Sequence, residues 1–171
     1  MAILVILGLK ATAGAKVSLP LYLASLFLAL AAQAFRTWAA GYVGTLARER
    51  AVLGEVLITA GPYAYVRNPM YLGILVILLA FSLMSGLWFS PLIALTTYAF
   101  VYNKVIPYEE DYLAQKFKAE YAEYRSRVPR LWPMLRPYPH RQGHFDLREA
   151  LSNEVFAIPG LLTVTALFYF I

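Results

Sequence analysis

From Met70 to Tyr102 the chain runs 33 residues without a charged side chain, and no other feature limits its folding so strongly. As one α-helix at about 1.5 Å per residue, the run would be roughly 50 Å long, against about 30 Å of hydrocarbon in a bilayer. Ser85-Gly86 and Ser90-Pro91 fall near its middle, and residues of that kind favour a tight reversal. The expectation is a helical hairpin whose arms are residues 70–86 and 88–103.

Composition extends the argument to the rest of the chain. Of the 171 residues, 60% are hydrophobic and 15% charged, whereas soluble domains hold roughly 45–50% apolar and 25% charged residues. Residues 19–43 make a clear spanning candidate, with Pro20 tolerated near the start and Trp38 and Tyr42 as interfacial anchors near the end. Residues 2–18 are apolar but carry Lys10 and Lys16, and suit either a short span or a segment lying in the interface. Residues 155–171 supply a last short segment. These elements predict an all-α fold: a single polytopic transmembrane bundle, residues 1–171, with about five membrane segments and a cap at residues 104–154. No basic residues precede the first apolar run, so no cleaved leader is expected.

Two polar stretches, residues 44–69 and 103–154, flank the uncharged hairpin and must share a face. They hold Arg48, Arg50 and Arg67 in the first stretch and nine of the 15 Lys and Arg in the second, which places that face in the cytoplasm. Lys10 and Lys16 then fall on the opposite side, a mild conflict with that rule. The net charge of +5 is better matched to anionic head groups than to nucleic acid, because no groove-reading motif is present. Cysteine is absent and the only histidines are His140 and His144, so neither a thiol nucleophile nor a metal site is expected.

Two constellations carry candidate chemistry. In the first, residues 57–73, Gly61-Pro62 predicts a turn and Asn68-Pro69 predicts a helix start with proline in its first position. A helix N-terminus presents unpaired amides and a positive dipole end, suited to a carboxylate. The same residues also fit a plain cap, a snorkelling Arg67 and tyrosines anchored in the interface. In the second, Glu109-Glu110-Asp111 follows the hairpin, and Leu113, Phe117, Tyr121 and Tyr124 recur along one face of an amphipathic helix that ends at Val128-Pro129. Acids just beyond a span can accept hydrogen bonds from hydroxyl or ammonium groups, or simply face water.

Taken in order, Gly-Pro-Tyr, Arg-Asn-Pro-Met-Tyr-Leu-Gly, an uncharged hairpin, Glu-Glu, and Tyr-x-x-Tyr-x-x-x-Val-Pro-x-x-x-Pro form one pattern. It resembles the isoprenylcysteine carboxyl methyltransferases and the related phospholipid N-methyltransferases, from about Arg48 to Pro133. That resemblance implies S-adenosylmethionine as cofactor and a lipophilic or lipid-anchored acceptor among the membrane lipids. It implies cofactor contacts from Leu57, Ile58, Tyr63, Asn68, Pro69, Met70, Tyr71, Glu109 and Glu110. Two positions depart from the pattern. Asn68 stands where the isoprenylcysteine enzymes have histidine, and Val105 stands where they have a substrate-binding arginine, with Lys104 the nearest base.

Methyl transfer from a sulfonium is an in-line displacement that chiefly needs alignment of donor and acceptor. An ammonium acceptor must first lose a proton, which makes Glu109 or Glu110 a candidate base. Arg36, Lys104, Arg125 and Arg127 are candidates to meet an anionic head group. Two other classes fit less of the sequence. A membrane-embedded NADPH-dependent reductase of the sterol type would need basic residues for a diphosphate near Glu109-Glu110, where this chain has acids. A non-catalytic membrane binding protein would need no donor affinity at all.

Overall fold

The computed structural model of the chain describes residues 2–43 and 56–171; Arg48, Arg50 and the rest of residues 44–55 lie outside that description. Every regular element among the described residues is helical. In chain order these are α1 (Ala2–Ala13), α2 (Leu19–Val43), a 3₁₀ turn (Gly61–Ala64), α3 (Pro69–Met84), α4 (Ser90–Arg127), α5 (Leu147–Asn153) and α6 (Ala157–Phe170). One of them, α2, is long and apolar enough to cross a bilayer; α1, α3 and α6 are apolar but shorter.

The chain divides into two compact units. The apolar unit comprises Met1–Ala34, Gly73–Asn103 and Phe156–Ile171. Its core sets small residues against large ones: Ala29 and Ala80 are fully buried beside Phe81, Met84 and Phe168, an arrangement that lets helices approach closely. The Phe81 and Phe168 rings stack 5.9 Å apart, and the Tyr22 hydroxyl donates to the Thr165 carbonyl at 2.9 Å.

The reversal between α3 and α4 falls at the serines and glycine marked in the sequence. Ser85 Oγ and Ser90 Oγ both donate to the Ser82 carbonyl, at 2.6 and 2.8 Å, satisfying a helix-end acceptor without water. Gly86 has φ 72°, and a Cβ there would lie 2.8 Å from the Lys16 carbonyl oxygen, so the turn requires glycine. Lys10 is buried and donates to the Ala15 carbonyl at 3.0 Å. Its ammonium thus serves the C-terminal end of α1.

The second unit, Phe35–Leu72 with Lys104–Val155, holds most of the charge. Its apolar centre is Leu57, Ala64, Tyr121, Tyr124, Val128 and Tyr138, with Leu113 and Phe117 packed against it; these last two, with Tyr121 and Tyr124, are the face expected from their spacing. Residues 59–68 and 129–142 run antiparallel without forming a sheet. Arg67 N–H donates to the Pro129 carbonyl at 2.9 Å, Met134 N–H to Tyr65 at 3.0 Å, Tyr138 N–H to Ala64 at 2.8 Å and Thr59 N–H to Gln142 at 3.0 Å. The prolines of the second segment suit it to this irregular pairing, since each removes a donor that a sheet would use.

Helix α4 differs from the expected short arm. It continues past residue 103 into the polar unit, through Pro107, and bends at Lys118, whose φ is 44°. The bend is steep for a geometric reason: in a straight helix residues 110 and 125 lie about 22 Å apart, yet one guanidinium, that of Arg67, reaches Glu110 Oε1 at 3.1 Å and the Arg125 carbonyl at 2.8 Å. Neither glycine nor proline stands at 118 to announce it.

Candidate functional site

The site is built outward from Asn68. Its carbonyl accepts from Leu72 N–H at 3.0 Å, so it holds the N-cap position of α3, with Pro69 first in the helix as its fixed φ favours. Its side chain points to a different set of partners, since Nδ2 donates to Glu110 Oε1 at 3.0 Å and to the Arg130 carbonyl at 3.3 Å.

Glu110 is 2% exposed, and both of its oxygens are engaged. Oε1 accepts from Arg67 Nε and Asn68 Nδ2 at 3.1 and 3.0 Å, while Oε2 accepts from Arg130 at 3.1 and 2.6 Å. Burial alone would raise its pKa, but the hydrogen bonds from Arg130 and Asn68, with the charge of Arg67, outweigh that and hold the carboxyl below its ordinary value. The same contact raises the pKa of Arg130. Arg67 adds two bonds to main-chain carbonyls, Arg125 at 2.8 Å and Val128 at 2.7 Å, where a cation meets the C-terminal end of α4. One carboxylate and two arginines therefore tie together the start of α3, both arms of bent α4 and the segment after Pro129.

Beneath this knot Tyr121 is 1% exposed, and its hydroxyl has no hydrogen-bond partner among the described residues. Burial and the Glu110 charge push its pKa up to about 12, so it stays protonated. Tyr124 donates to the Tyr63 carbonyl at 2.7 Å, and burial raises its pKa too.

Glu109, one residue before Glu110, is exposed and accepts from the Tyr71 hydroxyl at 2.6 Å. Adjacent residues of a helix point about 100° apart, which separates one buried and one accessible acid. The structure thus brings Asn68, Pro69, Met70, Tyr71, Glu109 and Glu110 to one place at the start of α3. The other residues singled out from sequence lie elsewhere in the unit. Leu57 lines a cleft of about 230 Å³ with Thr59, Glu120, Glu123, Tyr138, His140 and Gln142. Ile58 faces Gly143, and Tyr63 offers its carbonyl to Tyr124. Arg36 pairs with fully buried Glu154 at 3.1 Å, and Lys104 is exposed on α4.

Arg67 and Arg130 are the residues that sequence reasoning does not assign to the site. Each stands beside a proline-containing motif that the sequence does display, and each supplies the countercharge that a buried acid demands. Glu154, the partner of Arg36, carries no sequence signal of its own.

The donor set fits a zwitterionic amino-acid moiety. Glu109 and Tyr71 can receive an ammonium, and first-turn amides, which have no intrahelical partner, suit a carboxylate.

Comparison with known proteins shows the family. The phospholipid methyltransferase family profile matches residues 18–120, and the chain belongs to that family. Over 82 residues it is 35% identical to the protein-S-isoprenylcysteine O-methyltransferase of Schizosaccharomyces pombe, covering 47% of this chain and 34% of the relative. Over 84 residues it is 33% identical to the cobalt-zinc-cadmium resistance protein CzcN of Cupriavidus metallidurans, covering 49% and 38%. The matches thus span little more than a third of each curated relative. No solved structure matches.

Proposed function

We propose that this protein is a membrane-embedded S-adenosylmethionine-dependent methyltransferase. In this reading it acts on a lipophilic or lipid-anchored acceptor at the cytoplasmic face, with about five apolar segments in the bilayer. The observation that carries the reading is the pairing of buried, fully bonded Glu110 with exposed Glu109 at the N-terminus of α3, in a chain of the phospholipid methyltransferase family.

The site residues divide the work. Met70 and Tyr71, in the first turn of α3, offer the positive helix end to the carboxylate of the donor, and the Glu109 carboxylate receives its ammonium. When bound, S-adenosylmethionine supplies a methyl group on a sulfonium. The chain must hold acceptor and methyl in line and keep water out, and such positioning is worth up to about 7–11 kcal/mol.

Glu110 acts by holding the site. Its bonds fix Asn68, Arg67 and Arg130, and a carboxylate held below its ordinary pKa is a poor proton acceptor. Arg36 and Lys104 remain candidates for an anionic acceptor group. Arg36 already carries the Glu154 countercharge, which leaves exposed Lys104 the better placed of the two.

The direct test uses purified protein in detergent, titrated with S-adenosylmethionine and separately with NADPH, then incubated with labelled methyl donor and a membrane lipid extract. Saturable binding of the methyl donor and label in the lipid phase are expected. Saturable NADPH binding with no heat from the methyl donor would contradict the reading.

A further inference from the structure

Two large apolar side chains of the polar unit point into solvent from a stretch that is otherwise firmly held. Trp132 is 81% exposed and Leu135 98%. Their backbone is not loose: Arg130 at one end accepts from Asn68 N–H at 3.2 Å, Met134 N–H donates to Tyr65 at 3.0 Å, and Tyr138 N–H donates to Ala64 at 2.8 Å. Pro129, Pro133, Pro137 and Pro139 restrict the same stretch. The loop is fixed on both sides and still presents tryptophan and leucine outward.

We propose that residues 131–136 form a membrane-docking loop, in which Trp132 and Leu135 enter the interfacial layer of the bilayer and Arg136 meets anionic lipid head groups beside them. The inference rests on the membrane-embedded reading above, and three observations choose lipid as the occupant. The first is level. Arg130 is hydrogen-bonded to Asn68, the residue before α3, and from Met70 to Tyr102 the chain is uncharged. Trp132, two residues beyond Arg130, therefore lies within about 7 Å of chain from the residue bonded to the start of α3.

The second is charge. Residues 124–145 contain Arg125, Arg127, Arg130, Arg136 and Arg141 and no acid. Among the described residues Arg136 and Arg141 have no carboxylate within salt-bridge distance. Basic residues next to exposed apolar ones match the surface of an anionic leaflet. The third is side-chain type: tryptophan is enriched in the interfacial layers of membranes. Because Arg130 both starts this loop and holds Glu110 at 2.6 Å, docking would seat the polar knot against the layer from which a lipophilic acceptor arrives.

The test uses the three tryptophans, Trp38, Trp88 and Trp132, one at a time. Single-tryptophan proteins, with the other two replaced by phenylalanine, are reconstituted in phosphatidylcholine–phosphatidylglycerol vesicles. Their emission is quenched with brominated phosphatidylcholine and, separately, with aqueous acrylamide. Where a double replacement does not fold, the emission lost on Trp132→Phe in the otherwise native protein gives the same reading. Trp132 is expected to lose most of its emission to brominated lipid and little to acrylamide. Quenching of Trp132 by acrylamide alone, with Trp38 and Trp88 quenched by lipid, overturns the loop and leaves the membrane reading intact. Absence of lipid quenching at all three positions overturns both. Protection of Trp132 from both quenchers overturns lipid docking.

Discussion

In the apolar unit, Ala29 and Ala80 let helices close over Phe81, Met84 and Phe168, and the polar groups present, such as Ser82, Ser85 and Ser90, bond locally to the backbone. In the polar unit, the start of α3, bent α4 and the segment after Pro129 are tied by one buried carboxylate between two arginines and by backbone exchange between residues 59–68 and 129–142. The first kind of order tolerates changes of pH and salt, since it depends on shape. The second concentrates stability in a few charges, and removal of the carboxylate leaves buried Arg67 without its countercharge. A site that must receive a charged ligand gains from the second kind, because its groups are already fixed and oriented before the ligand arrives.

The sharpest way to break this contrast is Glu110→Ala. It leaves Arg67 and Arg130 without their countercharge and should destabilise the polar unit by about 3–5 kcal/mol. Hydrogen exchange would then show lost protection across residues 56–72 and 104–142 and unchanged protection in residues 157–170. Equal loss in both units would mean that the knot is not local in its effect.

Gly61→Ala should cost about 1–3 kcal/mol, read from denaturant unfolding in detergent. Gly61 has φ 59°, and a Cβ there would collide with the Tyr42 ring. The Gly-Pro-Tyr turn therefore has both a backbone and a packing reason for its glycine.

Acid sharpens the comparison without mutation. The Glu110 pKa in the folded protein lies below its ordinary value of 4.5, so its contribution is fully present above that value and is lost as pH falls through the folded one. Protection of residues 104–142 should decline on acidification below about pH 4.5, with that of residues 157–170 unmoved. The smallest effect is expected from Arg127→Ala, which removes an exposed pair with Glu123 at 3.1 Å. It should change stability by less than about 1 kcal/mol, and a larger loss would show that surface charge also holds the polar unit.

Much of this was legible in the sequence because it depends on near neighbours. The bounds of α2, the serine-glycine reversal, the proline start of α3 and the apolar face shared by Tyr121 and Tyr124 follow from periodicity and turn chemistry over a few residues. What escaped depends on distance along the chain. Arg67 meets Glu110 across 43 positions and Arg36 meets Glu154 across 118, and no spacing rule connects charges so far apart. The bend at Lys118 escaped because no glycine or proline stands there to mark it. Glu109 and Glu110 read alike in sequence, and only the rotation of α4 makes one a buried anchor and the other an accessible acid.

The central claim is that the accessible acid at the start of α3 receives the methyl donor. Calorimetric titration of S-adenosylmethionine into the wild-type protein, Glu109→Gln and Arg127→Ala tests it most directly. A charge-assisted hydrogen bond of about 1.5–3 kcal/mol predicts affinity reduced roughly 10- to 100-fold in Glu109→Gln, with Arg127→Ala matching wild type. Equal affinity in all three proteins would contradict the assignment of Glu109 to the donor.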